Sequence, residues 1–382
     1  MEIIFFVFFN KNLSRFKPCL FQVLIALAVL LSNCLQDNSV EPKEENLTGN
    51  NQMIVYPNIG NVFYWVNYKT LELGRTTILN IPDSIGCFGI CLSTNKDFLI
   101  FAGELLEPPY SQFIISYNIK RDTLHRIFPT GLDSVGAPRI TAAYLPNDPG
   151  LIYLYSHNVG LYSINFLSQE VNLISSELGI PKNFYNSPDE KWIVIGKYFP
   201  GYENDYTELE FYKTNEGLYQ VDFILNRNDQ DCINIKDLEI SDDNKHLYVS
   251  YLLSQRRAVY QAAYFGSYNL DTREFNFLHV ILPWSDNPYY MAYSSKRNEV
   301  YMVGAHDKLY IIDTRSEDYM IKTVIDLLGK IPSPSRILIR PDEKVAFVSC
   351  VYSNFVLAID LENKAILKTI PIEAPYLMIL LE

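Results

Sequence analysis

The chain is poor in the residues that usually announce chemistry. It has no CxxC pair, no CxxCH and no cysteine–histidine spacing able to hold zinc or haem. It has no GxSxG and no HExxH, and its five histidines (His125, His157, His246, His279 and His306) fall at unrelated places in the sequence. No metal site and no cofactor are therefore expected, and no catalytic residue stands out. GYENDYTELE gathers Glu203, Asp205, Glu208 and Glu210 without the ligand spacing of an EF-hand loop, and reads as a solvated acidic loop. The chain is also short of basic residues: 32 Lys plus Arg against 44 Asp plus Glu give a net charge of −12. Phosphate binding rests on Lys and Arg, so nucleic acid is excluded as the main partner. Long helical periodicity is missing as well.

What is present is Tyr (28) and Phe (22) in short apolar runs broken by polar turns, which predicts an all-β protein. The 382 residues are 48% hydrophobic, enough for a sizeable core.

The N-terminus has basic KNLSRFK, apolar CLFQVLIALAVLLSN, then Cys34 and polar LQDNSVEPKEENLTGNN. This resembles a bacterial lipoprotein signal, with Leu31 and Ser32 matching the lipobox and Asn33 departing from its usual Gly or Ala. The resemblance implies removal of residues 1–33, lipidation of Cys34, a flexible linker over 34–51, and a protein held extracytoplasmically at the bacterial cell envelope by its lipid. The alternative is an uncleaved membrane anchor, for which the apolar run is short. Cys87 and Cys91 share one expected strand, where their Cα atoms stand ~13 Å apart, too far for a disulfide. Cys232 and Cys350 are isolated.

Residues 52–382 repeat. A tight polar turn leads into an apolar strand at STNKDFLIF, PNDPGLIYLY, SPDEKWIVIG, SDDNKHLYVS, SSKRNEVYMVG and RPDEKVAFVSC. Each is followed by a strand, a marker residue, a charged hairpin turn and another strand. The markers are Asn67, Asn118, Asn165, Lys213, Asn269, Asp313 and Asp360, spaced 44–56 residues apart. Seven such units fit a seven-bladed β-propeller of four-stranded antiparallel blades. The first unit begins directly at QMIVYP and lacks an innermost strand, whereas the tail APYLMILLE matches the innermost type. The tail is therefore expected to close the first blade, which removes an open sheet edge.

IRPDEKVAFVSCVYSNFVLAIDLENKAILKTIPI resembles the YVTN repeat family. Pro341, Asp342 and Lys344 match its turn, and Asn354, Ile359, Asp360 and Pro371 match its strands and close. Glu343 stands where that family prefers Gly. The resemblance implies a propeller in an extracytoplasmic setting, with relatives that include lactonase-like enzymes and quinoprotein-associated propellers.

Candidate binding residues follow from the blade layout. The short turns share one face, and the long connections, such as GELLEPPYSQF, KYFPGYENDYTEL, YLLSQRRAVYQAAYFGS and PWSDNPYY, share the other. That face carries Tyr110, Tyr202, Tyr206, Tyr260, Trp284 and the pair Arg256–Arg257, residue types enriched at binding hot spots. The alternative is that these rings pack only their own loops. Aligning the residue after the position that holds proline in Pro138, Pro181, Pro288, Pro334 and Pro375 gives Phe88, Arg139, Lys182, Lys236, Tyr289, Ser335 (followed by Arg336) and Tyr376, a basic and aromatic ring at the channel mouth. Such a ring suits a protein partner or a small polar or anionic ligand. Pairing of each cation with a loop carboxylate such as Asp133 or Asp231 is the alternative. The expectation is a monomeric, membrane-anchored binding module, with a propeller enzyme of lactonase or quinoprotein type as its rival.

Overall fold

The structure is a computed structural model. It describes residues 51–381 except 82–84, 94–95, 106–110, 134–139, 145–150, 157–159, 166–167, 169, 177–179, 188–191, 200–205, 214–217, 226–230, 256–260, 277–287, 306, 317 and 328–333. All of these belong to the second of two units, which spans Leu47–Glu382. The leader, Cys34 and most of the linker lie outside the described residues.

The strands are β1 (Gln52–Pro57), β2 (Val62–Asn67), β3 (Glu72–Ile78), β4 (Ile85–Leu92), β5 (Phe98–Leu105), β6 (Ser111–Asn118) and β7 (Thr123–Asp133). There follow β8 (Ile140–Tyr144), β9 (Leu151–Ser156), β10 (Gly160–Asn165), β11 (Glu170–Ser175), β12 (Ile180–Asn186), β13 (Trp192–Phe199), β14 (Tyr206–Lys213) and β15 (Leu218–Leu225). The fifth group is β16 (Asp231–Ile240), β17 (His246–Gln255), β18 (Gln261–Asn269) and β19 (Glu274–Asn276). The last are β20 (Pro288–Ser294), β21 (Glu299–Gly304), β22 (Lys308–Asp313), β23 (Ile321–Asp326), β24 (Pro334–Ile339), β25 (Val345–Cys350), β26 (Phe355–Asp360), β27 (Ala365–Pro371) and β28 (Pro375–Leu381). Among the described residues they form seven four-stranded sheets and no α-helix. Six sheets use consecutive strands; the remaining one runs β28-β1-β2-β3. The tail pairs antiparallel with β1, Ile54 opposite Ile379 and Val55 opposite Met378.

The marker residues explain themselves as turn chemistry. The side-chain oxygen of Asn67 accepts from the amides of Lys69 and Thr70, that of Asn269 from Asp271 and Thr272, and that of Asp360 from Glu362 and Asn363. Asn118, Asn165 and Asp313 each accept one such amide. A short oxygen-bearing side chain mimics a backbone turn in this way. Lys213 has no such oxygen. The turn-then-strand segments hold a second device: the hydroxyls of Ser93, Ser187 and Ser241 accept the amides of Phe98, Trp192 and His246. Glu343 adopts φ 56°, a left-handed conformation that favours Gly, which accounts for the family preference at that place. The two kinds of short turn meet on one face, as in the amide of Leu270 bonding the carbonyl of Lys245 and that of Leu361 bonding Lys344.

The core lies between sheets. Alternate residues of β1 enter different layers: Ile54 and Tyr56 pack with Phe101 and Tyr117 of the next sheet, and Met53 and Val55 with Phe347 and Val356 of the β24–β27 sheet. A strand sandwiched this way buries both of its faces, so MIVYP, after Gln52, is an unbroken apolar run. The innermost strands β4, β8, β12, β16, β20, β24 and β28 neighbour one another in that order, and β28 returns to β4. Cys87 and Cys350 are free and buried.

Candidate functional site

The innermost strands share a fault. In each of six of them one residue is skipped by the pairing: Phe88 in β4, Lys182 in β12, Lys236 in β16, Tyr289 in β20, Ser335 in β24 and Tyr376 in β28. Proline precedes the bulge at Pro181, second in β12, and at Pro288, Pro334 and Pro375, each the first residue of its strand, which need not donate to the ladder. A bulge bends the strand and re-aims side chains. The aligned ring is thus a row of bulges; its seventh member, Arg139, lies outside the described residues.

Beside these bulges several described side chains converge. Arg336, just past the Ser335 bulge, lies over the ring of Tyr290, with its Cζ 4.8 Å from the ring centre. It also feels Asp237, Tyr376 and Tyr185. Tyr290 and Tyr376 are hydrogen-bond partners. The Tyr185 hydroxyl donates to Glu239. Asp237 Oδ2 accepts the Met291 amide at 2.6 Å and Glu239 Oε1 the Tyr293 amide at 3.4 Å, which satisfies donors on the edge of β20 that faces away from β21. Five innermost strands (β12, β16, β20, β24 and β28) therefore contribute to one polar cluster.

Its electrostatics are those of an enclosed site. Burial pushes the Glu239 carboxyl up to about 8; the Asp237 charge adds to this, and the Tyr185 and Tyr293 hydrogen bonds oppose it. Burial raises Tyr290 to about 12 and Tyr185 well above the ordinary tyrosine value. Burial disfavours the Arg336 charge, but Tyr290, Asp237, Tyr376 and Tyr185 together outweigh it and hold its pKa above the ordinary value. Lys236 is part-buried, which lowers its pKa.

Of the residues expected from sequence, Lys236, Tyr289, Arg336 and Tyr376 lie in or beside this cluster, and the Tyr289 ring stacks 6.5 Å from that of Tyr290. Lys182 occupies the bulge of β12. Arg256, Arg257, Trp284, Tyr110, Tyr202, Tyr260 and His306 lie outside the described residues. Sequence reasoning missed Tyr185, Asp237, Glu239 and Tyr290. The signal was available in NIKDLEI, where two carboxylates alternate with buried apolar residues in a strand covered on both sides. No group of three or more His, Cys, Asp and Glu among the described residues converges to hold a metal ion. Off the axis, β13 and β14 bury an ion pair, Lys197 with Glu210, both side chains 0% exposed.

No protein-family model matches the chain, and no curated protein matches its sequence. Solved structures do match its architecture. The β-propeller domain of Cps50 (Swd1) from Myceliophteria thermophila is 9% identical with a TM-score of 0.54, over 83% of this chain and 92% of that one. The fold is a β-propeller. The propeller also resembles Kuenenia stuttgartiensis hydrazine synthase (14% identity, TM-score 0.63, 81% of this chain and 92% of that one). A 6-phosphogluconolactonase-like protein of Bacteroides uniformis is similar as well (12% identity, TM-score 0.59, 86% and 99%). At these identities the likeness concerns the propeller's fold alone.

Proposed function

We propose that the protein is a seven-bladed, membrane-anchored extracytoplasmic propeller that binds a protein partner or a small polar ligand on the face bearing its long connections. The observation that carries this reading is the row of bulges. It sets Tyr289 and Tyr376 at the starts of their innermost strands, where the between-sheet links arrive, and Lys236 midway along β16, with Arg336 just past the Ser335 bulge. The opposite face is spent on short turns closed by their own side chains. The YVTN-like repeats and the LLSNC leader belong to the same reading, which places the protein at the bacterial cell envelope as a monomer held by lipid on Cys34.

Fold neighbours include a 6-phosphogluconolactonase-like protein, so a propeller enzyme is the rival. The described axial cluster holds two carboxylates, three tyrosines and an arginine but no histidine, and its carboxylates are engaged with β20 amides. That arrangement favours binding. Cell fractionation tests the anchor: Cys34→Ala is expected to leave the membrane fraction or remain unprocessed, and full processing with equal membrane association overturns the lipid anchor. Binding is tested by cross-linking the lipidated protein in intact envelopes, with adducts expected on the long-connection face; adducts confined to the short turns overturn the assignment of the face.

A further inference from the structure

The guanidinium of Arg336 stacks on Tyr290 and feels the charges around it, yet among the described residues it donates no hydrogen bond. Arg336 is part-buried, so its planar fork of donors stays open to a group arriving from solvent. Asp237, whose charge Arg336 feels, accepts the Met291 amide. Burial raises the Glu239 carboxyl to about 8, so at lower pH it adds little negative charge to oppose an anion. A planar fork beside hydroxyls and rings matches the two oxygens of a carboxylate or phosphate group.

We propose that the axial cluster is a subsite for one oxyanionic group, a carboxylate or a phosphate on a small polar ligand, with Arg336 as its bidentate donor and Tyr185, Tyr290 and Tyr376 as its walls. This rests on the binding reading above and names the chemistry of its ligand. Charge makes the site proton-linked. The groups facing Glu239 are Tyr185 from β12, Asp237 from its own strand, Asp242 from the following turn and the Tyr293 amide from β20. When Glu239 ionises, a second negative charge stands beside Asp237 and opposes an anion.

Calorimetric titration of the propeller with inorganic phosphate and, separately, succinate at low chloride and pH 6.5 tests this. Saturable binding of at least one probe is expected, and the tighter one identifies the source of the oxyanion. Arg336→Gln is expected to weaken it at least tenfold, and Arg336→Lys, which keeps the charge without the fork, also at least tenfold. Lys344→Gln, in an exposed turn of the opposite face, is expected to change nothing. Between pH 6.5 and 9 succinate binding is expected to weaken about threefold or more, and Glu239→Gln to remove that loss. Circular dichroism checks folding, and if Arg336→Gln does not fold, Arg336→Lys decides. Absence of binding by both probes, or undiminished binding by folded Arg336→Lys or Arg336→Gln, overturns the subsite. Either result with the membrane attachment and long-face cross-links intact leaves the wider binding reading standing, so the two fail separately.

Discussion

Val55 and Met378 stand opposite each other in the ladder that joins β1 to β28, although 323 residues of chain separate them. The first described strand has its second neighbour only because the last one arrives. Removal of residues 374–382 opens the edge of β1 and strips Leu377 and Met378 from two inter-sheet layers. A fall in thermal midpoint of more than ten degrees and a gain in aggregation are expected, because burying large apolar side chains contributes roughly 1.5–3 kcal/mol each. Removal of 35–48, in contrast, is expected to leave the midpoint unchanged. Differential scanning calorimetry of the two truncations measures both.

Glu239 ties acidity to stability. Its carboxyl is raised from an ordinary value near 4.5 to about 8 in the folded state. Between those values the folded chain binds more protons than the unfolded chain, so stability falls as pH rises through that window and levels off above about 8. Glu239→Gln keeps a neutral acceptor for the Tyr293 amide and is expected to flatten the decline. Urea unfolding at pH 5, 7 and 9 gives the slope, and an unchanged slope in the variant contradicts the assignment.

The buried pair of Lys197 and Glu210 gives an asymmetric expectation. Truncating one member leaves a charge without its partner in the interior, which costs about 3–5 kcal/mol. Replacing both, as Lys197→Met with Glu210→Leu, is expected to cost far less than the sum of the single changes. A double-mutant cycle in denaturant reads the coupling directly.

The hairpin markers offer a smaller, two-signed test. Asn269→Ala removes the acceptor for two turn amides and is expected to cost about 1–2 kcal/mol. Lys213→Asn supplies an acceptor at the equivalent place and is expected to stabilise by up to about 1 kcal/mol. Midpoints of chemical denaturation decide both signs.

The architecture was legible because turn chemistry repeats: Asn67, Asn269 and Asp360 announce their hairpins by the oxygen each must supply, and the missing first strand pointed to the tail. The alignment of Tyr289, Ser335 and Tyr376 was legible through the prolines before them, although the bulges they occupy were not. The axial cluster was half legible. Arg336 and Tyr376 could be named, but Tyr185, Asp237, Glu239 and Tyr290 could not, because a bulge shifts which residues meet and only the ladder register reveals the shift. Asp237 and Glu239 were hidden for a further reason. Their partners, the Met291 and Tyr293 amides, belong to the backbone and leave no trace in side-chain identity.

The pairing of β28 with β1 has a consequence for the order of synthesis. A nascent chain carries β1, β2 and β3 from the start, but their sheet has no innermost strand until the tail leaves the ribosome. Contacts this distant in sequence form slowly. Until then the exposed flank of β1 is a sticky edge, and completion of its sheet waits on the seven residues of β28.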